Sequence, residues 1–187
     1  MSGADRLVPG FRVLAETPLA SGDRVVLHRL AVAGPGGERF ERDVVRHPGA
    51  VAVVPVTEDG QIVLVRQYRA PVDQELLEIP AGTLDVPGEQ RAAAAARELE
   101  EEVGLRPGRL EELCTFYNSP GFCDERTTLF LAQELTPVPE RRAGAEERAM
   151  VVERRPLEAL GDLLATGEVL DGQTVLGWLL ARARLGI

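Results

Sequence analysis

The chain contains no lysine; all 21 of its basic residues are arginines. Against 30 acidic residues the formal net charge is −9. That balance argues against a nucleic-acid polymer as partner, since such a ligand needs a basic face to neutralise phosphates. It also opposes a small anionic substrate unless metal ions and local cations reverse the field. Arginine is permanently charged and forks onto phosphate oxygens, so a few well-placed side chains would suffice. Cysteine is scarce: Cys114 and Cys123 are the only two. No histidine stands near them and their spacing is not that of a metal site. They read as buried thiols of a reducing cytoplasm, with a disulfide between them as the alternative. Long apolar runs are missing too. Nothing approaches the roughly 20 residues of a membrane span, and the opening MSGADRLVPG has no charged-then-apolar leader pattern. The expectation is a cytoplasmic protein with no membrane partner. Its 44% apolar content supports a core, and its 187 residues suggest one domain with room for an appended N-terminal piece.

What is present is concentrated in GTLDVPGEQRAAAAARELEEEVGL, residues 82–105. Five consecutive alanines and the apolar spacing favour a helix. Ala92, Ala95, Ala96, Leu99 and Val103 follow the i, i+3, i+4, i+7 rule and predict the buried stripe. Glu98 and Glu102 lie four apart on one edge of that stripe, with Glu101 beside them. Free carboxylates one turn apart repel by a few tenths of a kcal/mol. A hard divalent cation reverses the sign, because Mg²⁺ and Mn²⁺ prefer oxygen-only ligands. The bland alternative for such a run is a solvated acidic helix face.

Glu89, Arg97, Glu98, Leu99, Glu101, Glu102, Gly104 and Leu105 stand in register with the pattern of a Nudix box, and the stretch resembles one. It departs at the start: six residues, rather than the usual five, separate Gly82 from Glu89. That insertion bears on how Ala81 and Gly82 approach a metal. The resemblance implies Glu98 and Glu102 as the main metal carboxylates and Glu101 as a further ligand or an orienter of bound water. It implies the carbonyl of Ala81 as a backbone ligand, with Mg²⁺ the expected ion and Mn²⁺ a substitute. Glu89 and Arg97 would pair across the loop–helix junction; the alternative for Arg97 is a surface pair with Glu101. Gly82 and Gly104 would be conformational residues at turns.

Elsewhere the pattern is mixed α and β. Candidate N-terminal strands are 11–16, 24–33 and 40–47, with Gly34-Pro35-Gly36-Gly37 as a turn. Segments 50–56 and 61–69 flank Glu58-Asp59-Gly60 and read as a hairpin. A short strand at 75–79 leads to the box. After it come strands at 111–117 and 127–134, around Asn118-Ser119-Pro120-Gly121. A polar stretch, 136–148, precedes a strand at 150–154. A short helix near 157–166 and a longer one at 174–185 close the chain, the latter with Leu176, Leu179 and Leu180 as its apolar face. The element order is similar to the Nudix-type α/β/α sandwich with a mixed sheet. On that resemblance 1–47 is an N-terminal antiparallel β extension that exchanges between protomers of a homodimer, and 48–187 is the hydrolase domain.

The family's chemistry is hydrolysis of a nucleoside diphosphate linked to another group, so a small nucleoside diphosphate is the implied substrate. Pro120 lies fifteen residues beyond Leu105, as a proline does in the ADP-ribose pyrophosphatase branch, although a Ser-Pro-Gly turn explains it equally. Residues 65–69 and 75–80 also resemble that branch, with Arg69 and Glu78 at its substrate-facing positions. Arg42 matches an arginine that reaches the partner's site, and Glu125 an acid near the terminal ribose. Each is otherwise an ordinary surface charge. The general base in relatives lies on a mobile loop after the last paired strands, here Ala143-Gly144-Ala145-Glu146-Glu147-Arg148. Glu146 stands slightly ahead of Glu147, with Glu101 as the fallback. The implied reaction is Mg²⁺-dependent cleavage of ADP-ribose to AMP and ribose 5-phosphate. Hydrolysis of another nucleotide sugar or a dinucleotide is the runner-up. A non-catalytic ADP-ribose sensor is the alternative of a different class.

Overall fold

The computed structural model describes residues 10–187, which fall into two compact units: 10–48 with 117–125, and 49–116 with 126–187. The opening MSGADRLVP, where no leader is read, lies outside the described residues.

In the first unit, β1 (Arg12–Ser21), β2 (Val26–Ala33) and β3 (Arg39–Arg46) form an antiparallel meander in that order. The β2–β3 turn is closed by Gly34 N–H donating to the Glu38 carbonyl at 2.8 Å, with Gly37 at φ +83°. The segment 117–125 is bound into this unit through β3. Val45 N–H donates to Phe122 O and Asp124 N–H to Val45 O, at 2.7 and 3.1 Å. Arg46 pairs with both Glu16 and Asp124. Every residue of β1 is exposed.

The second unit holds two sheets. One is antiparallel and runs β10 (Val151–Pro156), β5 (Gln61–Arg69), β6 (Gln74–Glu78). The other is mixed, with order β7 (Ala81–Thr83), β4 (Ala50–Pro55), β9 (Arg126–Pro137), β8 (Leu105–Tyr117). Its central pair, β4 and β9, is parallel, with Val51 opposite Thr128 and Val53 opposite Phe130. All six residues of β4 are buried, the continuous apolar run of a strand covered on both faces. Side chains alternate across a strand. Accordingly Val51, Val53, Val63 and Val65 pack with Ala94, Ala95, Leu99 and Val103 of α1 (Arg91–Val103). Ala52, Val54, Ile62 and Leu64 pack on the opposite side with Trp178 and Ala181 of α4 (Gly172–Leu185). Helix, sheet and helix form the three layers, and α1 presents its box residues along the first of them.

Several elements differ from sequence expectation. Strands β4 and β5 are not a hairpin: they join different sheets, and between them only the Val56–Ile62 bridge forms. The 58–60 turn is as tight as expected, with Thr57 N–H donating to Gln61 O at 2.9 Å, but each strand finds longer partners elsewhere. Strand β8 begins at Leu105, directly after the helix, six residues before the expected start. The polar stretch contains a short helix, α2 (Gly144–Ala149), which buries no residue and therefore carries no apolar period. A 3-10 turn (Leu157–Ala159) and α3 (Leu160–Ala165) share the expected 157–166 helix. On α4 the buried face is Thr174, Gly177, Trp178 and Ala181, while Leu179 is half exposed. Gly177 is there because a side chain would meet Val54 and Ile79 at 2.9 and 3.1 Å. Thr174 is there because its hydroxyl accepts Ile79 N–H and donates to Asp171. Among the described residues no helix is long and apolar enough to cross a membrane.

Candidate active site

The site grows from α1 and the strand it faces. The helix is rotated relative to the expected stripe. Ala92 is exposed and Ala96 half-buried, while Ala94, Ala95, Leu99, Glu102 and Val103 are buried. One polar edge of the helix thereby faces inward against β7. Gly104 ends the helix at φ 65°, its N–H returning to Glu100 O at 3.2 Å; a left-handed cap of this kind favours glycine.

Glu102 is the most enclosed of the box carboxylates, at 4% exposure. Ala81 N–H donates to its Oε2 at 3.2 Å. Burial, followed by the neighbouring Glu98 charge, pushes its carboxyl up to about 8, against the Ala81 hydrogen bond. Glu98 is also raised, first by burial, with Arg97 opposing. Gly82 has no left-handed φ and sits within β7. Its requirement is close approach: a Cβ there would lie 2.0 Å from Glu98 Cδ. That corrects the expectation of a turn glycine; the carboxylate lies where the side chain would be.

Arg97 organises the other acids. Its Nε and Nη2 reach the two Glu89 oxygens at 3.1 and 3.0 Å, and its Nη1 reaches Glu98 Oε1 and Glu101 Oε2 at 2.7 and 3.1 Å. The expected Glu89 partner and the alternative Glu101 partner are thus both bound by one guanidinium. Among the described residues no three carboxylate, imidazole or thiol groups are drawn together as a preformed metal cage, because Glu98 and Glu101 turn toward Arg97. The donor set still fits a hard cation: oxygen ligands on one helix edge, with the buried Glu102 carboxyl held in its neutral form by burial and by Glu98. A divalent ion would relieve both effects.

Two of the expected substrate contacts meet in the second unit. Arg69 Nε and Nη2 donate to Glu78 Oε1 and Oε2 at 2.9 and 2.5 Å, and Gln67 Nε2 donates to Glu78 Oε2 at 3.1 Å. Glu78 is buried, whereas the Arg69 side chain keeps 43% of its surface exposed. Arg42 and Glu125 belong to the first unit. Arg42 stacks on the Phe40 ring at 4.6 Å and donates to Glu41 O. Glu125 N–H donates to Cys123 Sγ at 3.4 Å.

The loop carrying Glu146 and Glu147 is α2 with its flanks. Glu147 Oε2 accepts Ala143 N–H at 2.7 Å, and its charge adds to the upward push on Glu102, behind burial and Glu98. The Tyr68 phenol is raised by its hydrogen bond to Asp73, then burial, then the Glu146 charge. The two loop acids therefore act on different neighbours. Sequence reasoning passed over Arg142, which reaches the box helix from this segment; an Arg-Arg pair in a polar stretch carries no spacing signal.

The NUDIX domain model matches residues 46–176. The chain belongs to the Nudix family of hydrolases. An ADP-ribose pyrophosphatase of Bacillus subtilis (strain 168) is 40% identical over 163 residues, 87% of this chain and 88% of that protein. Another, from Mycobacterium tuberculosis (strain ATCC 25618 / H37Rv), is 37% identical over 173 residues, 92% of this chain and 84% of its own. The crystal structure of an ADP compounds hydrolase superposes with a TM-score of 0.83 at 25% identity, covering 97% of each chain. Nudix hydrolases use divalent metal ions, in agreement with the oxygen donors gathered on α1.

Proposed function

We propose that this Nudix hydrolase cleaves the pyrophosphate bond of ADP-ribose, giving AMP and ribose 5-phosphate, with Mg²⁺ as its ion and Mn²⁺ as a substitute. The observation that carries the chemistry is the pair Glu98 and Glu102 on α1, laid against Gly82 and the Ala81 amide. The names of the two pyrophosphatases, each matching more than four-fifths of the chain, support the substrate. The residues that would hold the ion are Glu98 and Glu102, with Glu101 and the Ala81 carbonyl completing the set. Bound there, the ion supplies charge screening and polarisation at the pyrophosphate.

The protein's own groups do the rest. Arg97, tied to Glu89, fixes the helix edge on which the ligands stand. Arg69, oriented by Glu78, offers a permanent cation to substrate oxygens. By the resemblance to the ADP-ribose branch, Arg42 would reach into a partner protomer's site and Glu125 would serve as the acid near the terminal ribose. A loop carboxylate takes the proton from the attacking water, because box glutamates committed to a metal are poor bases. The electrostatic reach of Glu147 to Glu102 supports Glu147 over Glu146. Segment 1–47 acts as a dimerisation extension to the 48–187 hydrolase domain. The exposed apolar side chains Val13, Leu14 and Leu19 on β1 favour cover by a second copy in a cytoplasmic homodimer.

Release of AMP from ADP-ribose, assayed with Mg²⁺ and after its removal, tests this reading. Metal-dependent release in the parent and a fall of several orders of magnitude in Glu98→Gln, with the fold retained, are expected, as for loss of a charge clamp. Binding of ADP-ribose without AMP release would make the protein a sensor. Preferential cleavage of another nucleotide sugar or a dinucleotide would move the specificity.

A further inference from the structure

The C-terminal end of α1 is a helix end whose last carbonyls lack intrahelical donors. Here they are taken by the strap that follows β9. Val138 N–H donates to Gly104 O at 2.8 Å, and Arg141 N–H to Glu101 O at 3.1 Å. Next in line, Arg142 Nε donates to the carbonyl of Glu102 at 2.8 Å. The same guanidinium continues: its Nη1 donates to Met150 O at 2.7 Å, and its Nη2 pairs with Glu140 at 3.2 Å. Arg142 is 15% exposed, and Met150 is buried in the cluster that includes α1.

Arg142 and Met150 are the two residues that bracket the loop of Glu146 and Glu147. One planar cation thus closes that loop at its base and fastens it to the backbone of Glu102. Within the loop, α2 lies along β5 but buries none of its residues. Glu147 further ties the loop to itself through Ala143 N–H. A lysine could not reproduce this arrangement, because its three donors radiate from one point whereas the guanidinium fork reaches separate acceptors. Cationic charge at a helix C-terminus is also favourable.

We propose that Arg142 is a positioning residue that sets the Glu146–Glu147 loop in register with the metal-binding helix. This rests on the reading that a loop carboxylate is the base. Removal of the guanidinium frees the loop ends. Glu102 keeps its place on α1 through the helix's own hydrogen bonds and its packing.

The test uses the full chain as Arg142→Ala and Arg142→Lys, each alone and combined with Glu146→Gln plus Glu147→Gln. It reads kcat, KM for ADP-ribose, half-saturation by Mg²⁺ and amide exchange of 143–149. Arg142→Ala should lower kcat about 10- to 100-fold, within the range of a misplaced acid–base group. KM and Mg²⁺ half-saturation should stay within about threefold, and loop amides should exchange faster while α1 amides do not. Arg142→Lys, which retains charge and size, should fall between parent and alanine variant, and it serves if the alanine variant fails to fold. In the chain lacking both loop carboxylates, Arg142→Ala should cost less than about threefold more, the non-additivity of groups acting as a unit. Parental kcat and loop exchange in the Arg142 variants would overturn the proposal. So would a fully additive loss, or a loss of Mg²⁺ affinity matching the loss of kcat. If removing the two loop carboxylates alone leaves turnover intact, the base reading fails by itself. The amide exchange of 143–149 in the single Arg142 variants then still decides whether the clamp positions the loop.

Discussion

Glu102 gives the metal-free protein a pH dependence of stability opposite to that of an ordinary ion-paired carboxylate. Its carboxyl ordinarily titrates at 4.5 and in the folded chain is pushed up to about 8 by burial and by Glu98. Between those values the unfolded chain has released the proton and the folded chain has kept it. The folded state therefore binds more protons, and stability falls as pH rises through this window. At about 1.36 kcal/mol per pH unit, the loss between pH 5 and pH 8 is at most about 4 kcal/mol. Glu98, also raised by burial, adds a slope of the same sign. The carboxylates held down by arginine, such as Glu153 beside Arg66 and Glu100 beside Arg106, lose their stabilisation only on acidification below their ordinary range. They do not offset the slope above pH 5. Urea unfolding of chelator-treated protein across pH 5 to 8.5 measures the effect. The parent should weaken steadily toward pH 8, and Glu102→Gln, which keeps the shape without the charge, should be flatter and more stable by about 2–4 kcal/mol at pH 8. Saturating Mg²⁺ should restore the parent at pH 8 by mass action and restore the variant far less. Parallel pH profiles for parent and variant would refute the buried-carboxylate argument.

Two further outcomes follow from the site. Gly82→Ala should weaken Mg²⁺ half-saturation at least tenfold with the fold retained, since its Cβ would stand 2.0 Å from Glu98 Cδ and move that ligand; calorimetric titration of Mg²⁺ showing parental affinity would contradict this. Glu147→Gln should lower kcat about 100-fold or more with ADP-ribose and metal affinities nearly unchanged, the mark of an interaction made in the transition state, whereas Glu146→Gln should have the smaller effect. Single-turnover rates for the two variants decide between the acids, and equal turnover within about threefold of the parent in both would place the base elsewhere.

The box helix was readable because its pattern is local: Arg97, Glu98, Glu101 and Glu102 are fixed in relative position by the helical repeat alone. The same repeat could not say which edge faces inward. Ala92 and Ala94 are chemically identical, and only packing against Val51, Val53 and Val65 buries one and leaves the other exposed. Residues 50–56 and 61–69 look like a hairpin because a tight turn joins two apolar runs. Their true partners are β9 and β7 for the first, and β10 together with the next strand, β6, for the second; β7, β9 and β10 are distant in sequence. Leu179 reads as apolar face and is half exposed, while Thr174 and Gly177 read as neutral and are buried. One earns burial by hydrogen bonding to Ile79, the other by having no side chain.

Sequence by itself determined the family pattern, the mixed α/β class and the oxygen-rich chemistry, because these depend on residue type and short spacing. Tertiary structure decided the environment of each group. Glu102 becomes a carboxyl that resists ionisation only once burial and Glu98 surround it. Gly82 is needed only because Glu98 is laid across it. Arg142, unremarked in a polar stretch, links Glu102 and Met150 only when the strap after β9 folds back along the helix end. The physical reason is common to all three: dielectric, close approach and hydrogen-bond partnership are set by neighbours in space, and chain order does not specify those neighbours.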